Sequence, residues 1–304
     1  MKTETIKRQK GPGHWIQLLV KGARRWAGLL FKSPVGTIGF VILLLVILSS
    51  LLAGVLSPYD PAKMELMDKL LPPAWCEGGS MAHLLGTDSL GRDVLTRCLF
   101  GARISLLMGF GATAISALFG TVIGTTSAYL GGRVDSVITR ILDTWMAVPA
   151  LLVTLALIAG IGRGLTQTIV ALAVGGIPGF ARVLRAAALD VVHRDYMEAV
   201  NALGASRARA VFRHVVPNVM SQVLIQATSS VSGNILLAAT LSFLGLGAQP
   251  PAPEWGYMLS EGLGDYQYYS YLVSIPGMAI AVTALAINIL GDALRDALDP
   301  RLKK

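Results

Sequence analysis

Five stretches of this chain run close to twenty apolar residues or longer: Val35–Leu56, Leu106–Leu130, Ile141–Ile161, Val219–Leu246 and Leu272–Leu290. About 20 such residues in a helix cross roughly 30 Å of hydrocarbon. A sixth stretch, Leu165–Phe180, is shorter and interrupted by Gly175, Gly176, Pro178 and Gly179. It is counted as a span because dropping it misplaces every segment downstream. Charged residues make up only 14% of the chain, against about 25% in an average soluble protein. Lipid offers no partner for backbone N–H and C=O groups, so runs this long are helices rather than barrel strands. The sequence therefore predicts an all-α integral membrane protein with six transmembrane helices.

Lysine and arginine set the orientation. With the N-terminus inside, the inner segments hold 20 of these residues and the outer segments 6, the bias expected for cytoplasmic loops. Both termini are expected inside. The net charge of +8 is then mostly this asymmetry, and no nucleic-acid partner is called for. The first run exceeds the apolar core of about 7–15 residues in a signal peptide, which predicts an uncleaved anchor. The expected divisions are an inner tail over 1–34, a first span over 35–56 and an outer loop over 57–104. A five-helix core over 105–290 follows, carrying an inner polar segment at 190–217, and an inner tail over 291–304 closes the chain. The basic N-terminal tail, with Trp15 and Trp26, reads either as an amphipathic helix on anionic lipid or as an irregular lead.

In the outer loop, Gly86-Thr87-Asp88 is placed to cap a helix running through Asp93, Val94 and Leu95. His83 stands without a metal-spaced partner and reads as a solvated loop residue. Cys76 and Cys98 are both outside, and their spacing leaves a disulfide and two free thiols equally open. In the second span Ala112, Ser116, Gly120, Gly124 and Ala128 recur every fourth residue, a stripe that lets another helix approach closely. Pro149 and Pro276 are candidate bend points. Tyr266, Tyr268, Tyr269 and Tyr271 read as an outer interfacial belt.

The longest inner loop contains Asp195 to Pro217, DYMEAVNALGASRARAVFRHVVP. Asp195 as N-cap with Glu198 at N3 has capping-box spacing. Tyr196, Val200 and Leu203 then share an apolar face, and Gly204 is set to end a rod of about 12 Å. Ser206 can cap a second helix carrying Arg207, Arg209 and Arg213. From the residues alone, this is either a rod seeking a groove or a solvated connector.

Glu198 and Ala199, Gly204 six residues after the Glu, and Pro217 nineteen after it resemble the EAA loop of ATP-binding-cassette importer permeases. Val200, His214 and Val216 depart from the family's Ala, Ile and Leu. The outer-loop run Pro72 to Trp75, Gly78 to Asp88 and Gly91-Arg92-Asp93 is similar to the peptide-transport branch of that family. Gly101-Ala102-Arg103, Ala248 to Trp255 and Asp296 to Leu302 extend the likeness, with Thr96 and Cys98 as departures. The resemblance reaches from about residue 35 to the C-terminus. It implies a type I importer bundle in a bacterial inner membrane, forming half of a pore with a second, homologous permease. It also implies two cytoplasmic ATPase subunits that hold ATP and Mg, and a periplasmic peptide-binding protein. Asp195, Tyr196, Glu198, Ala199, Val200, Leu203, Gly204, Ala205 and Pro217 would form the ATPase-coupling segment. Nickel and oligopeptide importers are the neighbouring alternatives.

No lysine is preceded by Gly and followed by Ser or Thr, so a P-loop is absent and the chain is not expected to hydrolyse ATP. H-E-x-x-H, C-x-x-C and G-x-S-x-G are absent as well, and no cofactor is expected in the chain itself. Span interiors hold few ionisable residues, which disfavours an ion-coupled transporter. A membrane enzyme or scaffold is the remaining rival, and no catalytic set supports it.

Overall fold

A computed structural model describes residues 33–298. The amphipathic reading of the N-terminal tail and the last residues of the tail expected over 291–304 lie outside the described residues. Helix α1, Pro34–Leu51, starts where Ser33 Oγ accepts the Gly36 N–H at 3.2 Å and Pro34 occupies the first turn. Its Gly36 and Gly39 face the last helix: a Cβ on Gly39 would stand 2.9 Å from the Ala286 carbonyl oxygen. A short turn, Ala53–Leu56, leads into the outer loop.

Helix α2, Val94–Leu130, is 37 residues long and begins twelve residues before its apolar run. Its cap is Asp93, whose Oδ2 accepts the Thr96 N–H at 2.7 Å, and not Gly86-Thr87-Asp88. Asp88 instead closes its own turn, its Oδ1 accepting N–H groups of Leu90 and Arg92 at 2.9 and 3.0 Å. Because α2 starts this early, Arg97 and Arg103 belong to the helix rather than to the loop expected over 57–104.

The apolar run Ile141–Ile161 is not one straight helix. It falls on α3, Gly132–Met146, and α4, Ala150–Ile161, which meet at 86°. Pro149 sits at the joint, where it supplies no N–H and disfavours helical geometry at Val148. The weaker run is the opposite case. Leu165–Phe180 continues without a break into α5, Leu165–Val192, passing through Pro178 and three glycines. Two of those glycines admit neighbours: a Cβ on Gly175 would stand 3.2 Å from Thr154 Oγ1, and one on Gly176 2.7 Å from Ser116 Oγ.

The polar segment after α5 contains α6, Asp195–Ala202, and beyond it lies α7, Met220–Phe243. The short helix α8, Trp255–Gly262, precedes α9, Tyr271–Leu298. Among the described residues, five helices are long and apolar enough to cross a membrane, or six spans if the bent pair α3–α4 counts as one. The most extensive pairing is α2 with α5, with α7 against α2 and α9, and α1 against α9. Many aliphatic side chains face outward, as suits a body solvated by lipid.

Candidate functional site

The inner segment begins where α5 ends at His193. Arg194 takes the extended conformation before α6 and is its cap residue, without a side-chain hydrogen bond. Asp195 is thus the first helical residue rather than the N-cap, and Glu198 is one position too far along for a capping box. Both carboxylates instead fall in the first turn, where the helix dipole favours negative charge.

The apolar face also differs from expectation. Met197 is 1% exposed, packed in a cluster with Ala128, Phe180, Leu184, Ala188 and Val191, and Val200 packs against the same cluster. Leu203 is 88% exposed and Tyr196 38%. Ala199, three residues after Tyr196 and four before Leu203, is exposed as well, so the three share one outward face. The reason is that α6 carries two apolar stripes, and the bundle takes the one containing Met197.

Gly204 ends α6 at φ +75°. Its N–H donates to Asn201 O at 3.0 Å and the Ala205 N–H to Val200 O at 3.3 Å, the paired bonds of a Schellman motif. Ser206 Oγ then accepts the Arg209 N–H at 3.4 Å and caps the turn Arg207–Ala210. A π-helical stretch, Val211–Val215, follows and hands the chain to Pro217, whose ring would strike the Arg213 carbonyl in an uninterrupted α-helix.

Ala112, Ser116, Gly120, Gly124 and Ala128 are all buried on α2. A Cβ on Gly120 would collide with the Phe180 Cβ, and one on Gly124 with the Ala181 carbonyl oxygen. At the inner end, Ser127 Oγ donates to Asp135 Oδ1 at 2.6 Å, and Arg185 Nε donates to the same oxygen at 2.6 Å. An ion pair between Arg182 and Asp143 joins α5 to α3 again.

The end of the bundle that carries α8 is tied together by charges. Glu261 accepts Arg92 Nη2 on Oε1 at 2.8 Å and Arg97 Nη2 on Oε2 at 2.6 Å, while Asp88 Oδ2 accepts Arg92 Nε at 2.7 Å. Burial lowers the pKa of Arg92, but hydrogen bonds and charge from Glu261 and Asp88 outweigh it and hold the guanidinium above its ordinary value. His83 is not solvated: it is 6% exposed, stacked on Tyr59, with Nδ1 2.9 Å from Asp93 Oδ1. Tyr271 does not join a surface belt either, since its hydroxyl lies within donating distance of the Leu71 and Thr87 carbonyls at 2.9 and 2.7 Å. Tyr266 and Tyr268 are exposed. Cys76 and Cys98 are free thiols.

With this geometry in hand, comparison with known proteins is decisive. Residues 104–304 match the family model described as binding-protein-dependent transport system inner membrane component. The chain belongs to that family. The permease also matches, over residues 25–73, the N-terminal transmembrane domain of oligopeptide transport permease C. It is 44% identical over 275 residues to the dipeptide transport system permease protein DppC of Haemophilus influenzae, covering 90% of this chain and 93% of that one. The di/tripeptide transport system permease protein DppC of Pseudomonas aeruginosa is 43% identical over 87% of this chain and 88% of its own length. The glutathione transport system permease protein GsiD of Pectobacterium atrosepticum is 40% identical over 91% and 90%. The fold is similar to an inward-facing structure of the MetNI methionine ABC transporter, with TM-score 0.55 and 19% identity over 67% of this chain and 97% of that chain. The permease therefore has a type I importer bundle.

Sequence reasoning about the permease missed Met197, Asn201, Asp135, Glu254 and Glu261. Only Met197 carried a legible signal, its i, i+3 spacing with Val200.

Proposed function

We propose that this permease forms half of the translocation pore of an ATP-driven importer of short peptides, with α6 as the element an ATPase partner engages. The single observation that carries this reading is the face of Tyr196, Ala199 and Leu203, left outward on a helix anchored through Met197. An exposed leucine flanked by an aromatic ring on a pinned helix suits a groove in a partner. Glu198 is exposed on the same helix and is available to a basic group across that interface.

The remaining assembly follows from the family. A second, homologous permease would complete the pore, two ATPase subunits would bind ATP and Mg inside, and a soluble peptide-binding protein would deliver substrate outside. Both termini would be cytoplasmic in a bacterial inner membrane, with lipid around α1. The permease itself needs no cofactor. Dipeptide, di/tripeptide and glutathione permeases among the relatives have short peptides in common, which favours them over nickel complexes. The buried carboxylates Asp93 and Glu254 are each engaged by protein donors, which supports an external energy source over ion coupling.

The test uses the assembled transporter carrying Glu198→Arg or Leu203→Asp. We expect normal permease abundance in the membrane, loss of ATPase co-purification or of hydrolysis-linked uptake, and at least tenfold less labelled alanyl-alanine imported. A misplaced like charge at an interface costs several kcal/mol, so a tenfold loss is a lower bound. Wild-type uptake in both variants would make α6 a mere connector and remove the support for this function.

A further inference from the structure

We propose that Tyr129 is the positioning residue that makes α2 follow α6, through a hydrogen bond from its hydroxyl to the side chain of Asn201. This inference rests on the reading of α6 as the ATPase-engaging element. Tyr129 Oη donates to Asn201 Oδ1 at 2.8 Å. Tyr129 is the penultimate residue of α2, and Asn201 lies in the last turn of α6. Among the described residues no other side-chain hydrogen bond joins α6 to a membrane helix.

The two attachments of α6 differ in kind. Met197 sits in an apolar cluster whose attraction is non-directional, so it resists withdrawal of α6 but sets its rotation less sharply than a directional bond does. The Tyr129–Asn201 bond is directional and sits one turn further along, so the pair together fixes rotation as well as depth. What Tyr129 is attached to decides where the motion goes. Two residues before it, Ser127 bonds Asp135, which also holds Arg185 of α5. Ala128, between them, lies in the Met197 cluster. A displacement of Asn201 is thus delivered at the end of α2 to a junction that already unites α2, α3 and α5.

The bond is a single neutral one, exposed to water. Its removal should loosen coupling without dismantling the fold, and a net worth near that of an ordinary hydrogen bond corresponds to roughly fivefold. The experiment places the full complex of permeases, ATPases and binding protein in proteoliposomes and measures labelled alanyl-alanine imported per ATP hydrolysed. Tyr129→Phe and Asn201→Leu should each lower that ratio about fivefold, with ATPase co-purification unchanged. Asn201→Asp keeps an acceptor and should restore most of the ratio. In an Asn201→Leu background, Tyr129→Phe should add nothing further, the mark of one shared interaction. A wild-type ratio in both single variants, additive losses, or release of the ATPases by Tyr129→Phe would each overturn the inference. Failure of the parent reading shows separately, as wild-type uptake in Glu198→Arg.

Discussion

Ser105 donates its hydroxyl hydrogen bond to Glu254 Oε1 at 2.9 Å, on a carboxylate with no solvent-exposed surface. The other oxygen of Glu254 accepts the Tyr257 N–H at 2.9 Å and so caps α8. One acidic side chain therefore fastens α8 to α2 and starts α8 at once.

Glu254→Ala removes both bonds and leaves Ser105 buried without this acceptor. We expect a loss of about 1–3 kcal/mol for the orphaned group together with the lost cap. Glu254→Gln keeps the shape and one acceptor and should lose less. Thermal unfolding of the purified permease in detergent checks the order; equal melting temperatures for wild type and Glu254→Ala would contradict it.

Gly120 and Gly179 are both helical glycines, yet they should respond oppositely. A Cβ on Gly120 meets Phe180, whereas one on Gly179 meets nothing within 4 Å. Gly120→Ala should destabilise the permease by about 1–3 kcal/mol through overpacking. Gly179→Ala should be neutral or stabilise by up to about 1 kcal/mol through helix propensity. Membrane abundance and unfolding temperature of the two variants decide the matter.

Gly204 has open space where a Cβ would go, so its demand is conformational, set by φ +75°. Gly204→Asn should therefore retain peptide uptake. Gly204→Val should lose it, because a β-branched residue pays roughly 1–2 kcal/mol or more in the left-handed region. Comparable uptake by the two variants would show that the turn after α6 carries no conformational requirement.

Orientation is testable by labelling. With Cys76 and Cys98 replaced by serine, cysteines at the exposed positions Ala208 and Gln267 should react from opposite sides of the membrane. An impermeant maleimide added outside intact cells should modify only the Gln267 position. Equal modification of both would refute the inside placement of the loop carrying α6.

Much of the architecture was legible because lipid imposes a length rule that apolar runs either meet or fail. The rule makes Ile141–Ile161 look straighter, and Leu165–Phe180 look weaker, than they are, although both count as spans, because it weighs hydropathy and ignores backbone geometry. Pro149 breaks a run that is apolar enough, while Gly175 and Gly176 serve close contacts in a run that looks too interrupted. Within α6, the glycine stop was readable from residue type alone. The buried stripe was not, since Tyr196-Val200-Leu203 and Met197-Val200 are both apolar and only the bundle's position chooses between them. His83 was misjudged for a related reason: its partner Asp93 is ten residues away, and nothing in the spacing shows that the loop folds back to deliver it.

The contact at Gly120 and Gly124 leaves no room for a side chain between the backbones of α2 and α5, and the Asp135–Arg185 pair pins their inner ends. Two spans fused so closely act as one stiff beam, because sliding either past the other would carry Phe180 and Ala181 out of the glycine notch and against the side chains beside it. Such a beam can tilt but not shear. Bending is then left to joints rather than to the beam, and the elbow at Pro149, where α3 and α4 meet at 86°, is such a joint packed against the same α5.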